Sequence, residues 1–68
     1  MTLSARNHLS GTIEEIHRGD VLVHVTVRVG SNLIESVITR RSAEEMGLKQ
    51  GDGVTAVVKA TEVMLSKP

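Results

Sequence analysis

Between Val21 and Val29 the chain reads Val-Leu-Val-His-Val-Thr-Val-Arg-Val. Val21, Val23, Val25, Val27 and Val29 fall on one side of an extended backbone, and Leu22, His24, Thr26 and Arg28 on the other. Side chains alternate between the faces of a strand, so strict period-two spacing of β-branched residues specifies a half-buried β-strand. A helix would scatter the five valines around its circumference. A slip of one residue would turn all of them to solvent, so the pairing register is fixed as well. The stretch is therefore the central strand of an all-β domain.

Only 68 residues are available to surround it, with no Phe, Tyr, Trp or Cys. A domain this short draws roughly 3–5 kcal/mol from a single core, and this one lacks the aromatic side chains that bury the most area each. No disulfide or thiolate metal site can staple it. Association with copies of itself is the remaining device, so a homo-oligomer is expected. Eight basic and eight acidic residues cancel, which argues against the basic surface that nucleic-acid binding requires. The first residues lack the apolar core of a signal peptide and no stretch is long enough to span a bilayer, so a cytoplasmic location without membrane association is expected.

Leu3 to Asn7 is a polar lead-in. A first strand is expected over Leu9–Ile16, with Leu9, Gly11 and Ile13 on one face and the phase blurred at Glu14-Glu15. Gly11 marks a bulge or a close backbone approach. His17-Arg-Gly-Asp20 reads as a turn with Gly19 free to take positive φ; its Arg-Gly-Asp triplet is a hairpin turn rather than an adhesion motif. Gly30-Ser31 leads into a third strand, Leu33–Thr39. Ser42-Ala-Glu-Glu45 then has the form of a capping box opening a short helix over Ser42–Met46, which Gly47 ends with Leu48 placed for the accompanying apolar contact. A turn over Lys49–Gly53, a fourth strand over Val54–Lys59 and a short fifth over Val63–Leu65 complete an OB-like five-stranded barrel, with one short helix between strands 3 and 4. Residues 1–68 form one domain.

Catalytic groups are poorly represented. There is no Cys and no Ser-His-acid arrangement, and His8, His17 and His24 lack the spacing of metal ligands on a helix. His24 lies on the polar face of the central strand, as a solvated residue would. Glu44-Glu45 suits the start of the helix, where the dipole favours negative charge. Hydrogen-bond donors are more telling. Ser4-Ala-Arg-Asn7, Thr39-Arg-Arg-Ser42 and Lys59-Ala-Thr61 each join hydroxyls to cations at the end of an element, and only Glu62 abuts any of them. Donors without competing acceptors are what a tetrahedral dianion requires, and the helix start adds backbone N–H groups. One such cluster would be an ordinary cap or solvated end. Three in a neutral chain favour anion binding.

Ser-Ala-Arg-Asn at 4–7 followed by Leu9 and Gly11, Ile-Thr39-x-x-Ser42, Glu-Met-Gly-Leu48, Gly-x-x-Val54 and Val-Val-Lys59-Ala-Thr-Glu-Val-Met64 occur in that order. With them the sequence resembles the molbindins, the Mop-domain family of small molybdate- and tungstate-binding proteins, over essentially its whole length. The resemblance implies an OB-like barrel that assembles into dimers, built up to a hexamer, and holds molybdate or tungstate between subunits without redox chemistry. It implies oxyanion donors at Ser4 and Arg6, Thr39 and Ser42, and Lys59 with the backbone N–H of Ala60. Some members carry Ser where this chain has Ala60, so at that position the amide stands alone. Molybdenum storage and homeostasis is the function implied.

Two other binding functions and an enzyme fit the sequence less well. Arg41–Val54 resembles the short helix and turn of AbrB-like swapped-hairpin DNA-binding transcription factors, but zero net charge and the extra amino-terminal strands speak against that family. An OB-fold nucleic-acid binder normally offers aromatic stacking platforms, which this chain lacks. An enzyme has the least support.

Overall fold

Valines 23, 25 and 27 form the floor of the core, each at most 4% exposed. They belong to β2 (Leu22–Val29) of a four-stranded antiparallel sheet, in a computed structural model that describes residues 4–68. The other strands are β1 (Asn7–Arg18), β3 (Asn32–Thr39) and β4 (Gly53–Val58), in the order β3-β2-β1-β4. A helix, α1 (Arg40–Met46), links β3 to β4, and a 3-10 turn, Ala60–Glu62, follows β4. The all-β class, the short helix and the order of elements through the fourth strand agree with the sequence reading. Val29 packs at the margin of the core, whereas Val21 lies before the strand and is exposed.

The blurred phase of the first strand is a β-bulge. Ile13 pairs with Val27 and Glu15 with Thr26, so Glu14 is the extra residue. The extra residue reverses the alternation, so Ile13 and Ile16 both meet the core and the Glu15 and His17 side chains stay outside. The loop between α1 and β4 satisfies the backbone that the bulge disturbs. Gly51 N–H donates to the Ile13 carbonyl, Ile13 N–H to the Asp52 carbonyl (2.9 Å each), and the Gln50 side chain to the Glu14 carbonyl (3.0 Å). Gly11 serves the close approach expected of it: a Cβ there would collide with the Arg28 carbonyl oxygen and stand 2.8 Å from Val27 Cγ1. Gly11→Ala should therefore destabilise the fold by about 3 kcal/mol, near the top of the usual range for overpacking. Urea unfolding at fixed protein concentration measures this, and an unchanged midpoint would refute the close approach.

Four expectations are corrected. Gly19 does not have positive φ; it is needed because a Cβ would lie 2.7 Å from the Leu22 carbonyl oxygen, to which its own N–H hydrogen bonds at 2.9 Å. The first strand runs further, Asn7–Arg18, because both neighbours supply partners along it. The helix is capped by Thr39, not Ser42: Thr39 is extended (φ −70, ψ 150) and its Oγ1 accepts the Ser42 N–H at 3.1 Å. The Ser42–Glu45 box does not form, since Glu45 faces Arg41 four residues back. Finally, Val63–Leu65 is not a strand of its own chain: among the described residues it has no ladder partner, and the sheet ends at β3 and β4.

The helix terminus follows the sequence closely. Gly47 takes the left-handed conformation (φ 61, ψ 37), its N–H donates to the Glu44 carbonyl, and the Leu48 N–H donates to that of Ala43. These two bonds define a Schellman motif, and Ala43 and Leu48 are both buried in the core, which supplies its apolar contact.

The core is nevertheless thin. Ile13 and Val23 are its largest fully buried side chains. The chain exposes 5539 Å², against about 4,200 Å² for a folded monomer of 7.3 kDa. Its radius of gyration, 12.7 Å, likewise exceeds the roughly 11 Å of a compact domain this long.

Candidate functional site

The amino-terminal end of β1 lies against the carboxyl-terminal end of β4, and the last paired residues are Asn7 and Val58. One step beyond that pair on the two antiparallel strands stand Arg6 and Lys59. Each is exposed, and among the described residues neither forms an ion pair. Both cations stand where the two strand ends meet, so an anion bound at this end of the sheet has both of them on hand. The approach to β1 is anchored on both sides of Arg6. Ala5 is buried, His8 Nε2 lies 3.2 Å from its carbonyl oxygen, and Asn7 Nδ2 donates to the Val58 carbonyl at 3.2 Å. Ser4 and Arg6 flank the buried Ala5 and both face solvent. Ala60 opens the 3-10 turn, so its N–H has no acceptor within that turn. Ser4, Arg6, Lys59 and Ala60 thus share one end of the sheet.

Thr39 and Ser42 occupy the other end. Thr39 pairs with Leu22, at the end of the sheet where β1 closes on Arg18 and Val23. The Thr39 hydroxyl donates to Ser42 Oγ at 2.9 Å while accepting the Ser42 N–H. Within this pair the Ser42 O–H is left to donate outward, and Ser42 is half-buried. The cluster is less cationic than the sequence suggests. Arg40 pairs with Glu44 at 2.8 Å and Arg41 with Glu45 at 3.1 Å, so both arginines have carboxylate partners one turn on. Glu44 and Glu45 therefore serve as these acceptors and not as first-turn dipole partners. The helix start also offers fewer free amides than expected, because the Arg40 N–H donates to the Val21 carbonyl at 2.8 Å and the Ser42 N–H is capped.

The twelve residues of β1 separate the two groups of donors. At about 3.3 Å per residue they span up to roughly 40 Å along the strand, and the molecule's longest dimension is 36 Å. One chain therefore brings Ser4, Arg6, Lys59 and Ala60 together and keeps Thr39 and Ser42 apart from them. Chemically, the first group offers two cations, a hydroxyl and an amide, with Glu62 the nearest acid in sequence. The second offers a hydroxyl pair.

Two structural supports were not singled out from sequence. Asn7 ties β1 to β4 beside Arg6, and the Arg18 guanidinium donates to the Leu48 carbonyl at 2.6 Å, holding the end of α1 to β1. The first belongs to the Ser-Ala-Arg-Asn motif; the second has no local signal, since its partners are 30 residues apart. A further polar cluster lies on the outer face, where His24 Nε2 is 3.0 Å from Glu35 Oε1 and the His17 ring is 6.4 Å from that of His24. No group of three metal-ligating side chains occurs among the described residues.

A chain with this curled sheet and these paired ends has well-matched relatives. The TOBE domain model matches residues 3–65. Molybdenum-pterin-binding protein 2 of Clostridium pasteurianum is 44% identical over 66 residues, covering 96% of this chain and 97% of that protein. The structure of a molybdate-binding protein from Sporomusa ovata superposes with a TM-score of 0.94 at 37% identity, covering 98% of this chain and all of that one. A third relative, the cytoplasmic molybdate-binding protein ModG with molybdate bound, gives a TM-score of 0.92 at 40% identity; the present chain spans 49% of it. The chain belongs to the TOBE domain family and to the molbindin (Mop) proteins that its motifs resemble.

Proposed function

We propose that this protein binds molybdate or tungstate at interfaces between its own subunits and serves molybdenum storage and homeostasis in the cytoplasm, as a binding protein rather than an enzyme. The observation that carries the reading is the placement of Arg6 and Lys59: two cations without ion-pair partners among the described residues, just beyond the paired ends of β1 and β4, beside the Ala60 amide and the Ser4 hydroxyl. The relatives named for molybdate or molybdenum binding support the choice of anion. In this reading residues 1–68 are one Mop domain, and each complete site joins Ser4, Arg6, Lys59 and the Ala60 amide of one chain to Thr39 and Ser42 of another. The excess exposed surface and the thin core support a homo-oligomer, a hexamer built from dimers, with no role for nucleic acid or membrane. None of the described helices is long and apolar enough to cross a bilayer. The AbrB-like alternative gains nothing from the geometry.

A site without a carboxylate dictates selectivity. Phosphate is partly protonated at neutral pH, and its O–H would find only neutral hydroxyl oxygens, weaker acceptors than a carboxylate. Sulfate is smaller and would leave donors unmatched, at about 1–3 kcal/mol for each buried group. Titration calorimetry should show molybdate and tungstate binding at least about tenfold more tightly than sulfate or phosphate. Equal affinity for sulfate would overturn the assignment. Elemental analysis of the purified protein for molybdenum and tungsten, with its mass in solution, tests storage and assembly together.

A further inference from the structure

The outer face of the sheet carries a cluster that the anion site does not use. On a helix these histidines would have no ligand spacing, but on a sheet the register decides which side chains meet. His17 of β1 stands directly opposite His24 of β2, and Val37 of β3 completes that row. The next row on the same face reads Glu15, Thr26 and Glu35. Residues directly opposite have Cβ atoms about 5 Å apart, and diagonal neighbours stay within reach of long side chains. Both imidazoles turn toward the glutamate row. His17 Nε2 hydrogen bonds with Glu15 Oε1 at 2.6 Å, and His24 Nε2 lies 3.0 Å from Glu35 Oε1. The two ring centroids are 6.4 Å apart, and the short, half-buried Thr26 stands between the two carboxylates.

Two features set this cluster apart from a solvated face, the role that the sequence gives His24. Neither glutamate has a lysine or arginine partner among the described residues, and Arg28, in the row beyond, is held by Glu14 at 2.6 Å. Two carboxylates therefore face two imidazoles with no permanent cation among them. The His24 Nε2 atom is also screened from water, and despite its approach to Glu35 it forms no hydrogen bond. Screened polar atoms without a partner are rare and call for one. We propose that His17, His24, Glu15 and Glu35 bind one divalent transition-metal ion of the zinc class on each chain. Imidazole nitrogens and carboxylate oxygens hold Zn2+ in tetrahedral sets of four at about 2.0–2.2 Å. Imidazole ligands favour such ions over magnesium and calcium, which take oxygen ligands. The four side chains do not converge on one point as they stand. The ion gathers them by turning the carboxylates, whose side chains are 58% and 68% exposed, while the strand pairing keeps the imidazoles side by side. Charge balances as well, because two carboxylates and two neutral imidazoles offset a dication. The site shares no residue with the oxyanion donors and does not rest on that reading.

Zinc chloride titrated by calorimetry into the metal-free, full-length protein, in a buffer without phosphate, tests the site. One Zn2+ per chain is expected, and magnesium chloride in excess should not displace it. His17→Ala and His24→Ala should each weaken zinc binding by at least about tenfold, the loss that follows even when a residue that only orients a metal ligand is removed. The double variant Glu15→Gln/Glu35→Gln should weaken it by a similar factor. Cobalt(II) added to the unaltered protein should give the intense visible bands of a four-coordinate ion. The chain has no cysteine, so those bands report nitrogen and oxygen ligands, and the reading does not depend on whether any variant folds. Zinc binding that survives in His17→Ala/His24→Ala, displacement by magnesium, or the weak spectrum of six-coordinate cobalt overturns the site. Molybdate titrated into the zinc-free protein reports on the oxyanion reading separately, so the failure of one leaves the other standing.

Discussion

Arg6→Ala and Lys59→Ala are each expected to weaken molybdate binding by more than tenfold while leaving the ligand-free protein folded. A hydrogen bond to a charged group contributes roughly 1.5–3 kcal/mol, and each factor of ten in affinity corresponds to about 1.4 kcal/mol. Both side chains are exposed and, among the described residues, have no carboxylate partner, so no native ion pair is broken. Thermal unfolding of the ligand-free variants should therefore stay close to that of the parent. Arg41→Ala is the contrasting control: its guanidinium is held by Glu45 on the exposed face of α1, 3.1 Å away, and its loss should change binding little. Unchanged calorimetric affinity in both Arg6→Ala and Lys59→Ala would return these residues to the role of solvated strand ends.

The elements that were legible in the sequence are those whose signals are local and periodic. The Val21–Val29 alternation fixes β2 and its buried face because the strand period is a property of the backbone alone. Met-Gly-Leu48 fixes the helix end because one left-handed residue and one apolar contact suffice. Signals that depend on a partner elsewhere in the chain were less complete. Glu14-Glu15 blurred the phase, but only pairing with β2 reveals that Glu14 is the extra residue. Ser42-Ala-Glu-Glu45 has the spacing of a capping box, but the cap falls to Thr39, the last and still extended residue of β3, so the helix opens at Arg40. Val63–Leu65 has the composition of a strand, yet a strand forms only where an edge receives it, and among the described residues nothing pairs with it. Met1 and Leu3, apolar residues that the sequence leaves to spare for assembly, lie outside the described residues 4–68.

The candidate donors were legible by chemical type and not by arrangement. Ser4, Arg6, Thr39, Ser42, Lys59 and Ala60 can be selected as hydroxyls, cations and an amide at element ends. Their division into two groups appears only once Asn7 is seen to pair with Val58 and Thr39 with Leu22, at opposite ends of β1. The same register accounts for the weaker cation content of the second group. Arg40 and Arg41 look free in the sequence, but a helix that starts at Arg40 sets Glu44 and Glu45 one turn away from them.

The division makes a mixing experiment with a directional outcome. If a complete site joins the Arg6 end of one chain to the Ser42 end of another, an Arg6→Ala chain and a Ser42→Ala chain can complement each other. Unfolding the two variants together and co-refolding them in equal amounts should regenerate intact sites at roughly a quarter of the total under random assortment, since the two ends of a site are drawn independently. Lys59→Ala mixed with Ser42→Ala should recover tight binding in the same proportion. Arg6→Ala mixed with Lys59→Ala should recover none: both donors lie at the same end of one chain, one residue beyond the Asn7–Val58 pair, and every such end then keeps one defect. Molybdenum bound per subunit, measured after equilibrium dialysis at a concentration below the dissociation constant of the single variants, reads the recovered fraction directly. Rescue in the third mixture would mean that Arg6 and Lys59 reach the anion from different chains. Absence of rescue in the first two, with Ser42→Ala alone defective, would mean that Ser42 acts within the same chain, and the site would then have to close across the full length of β1.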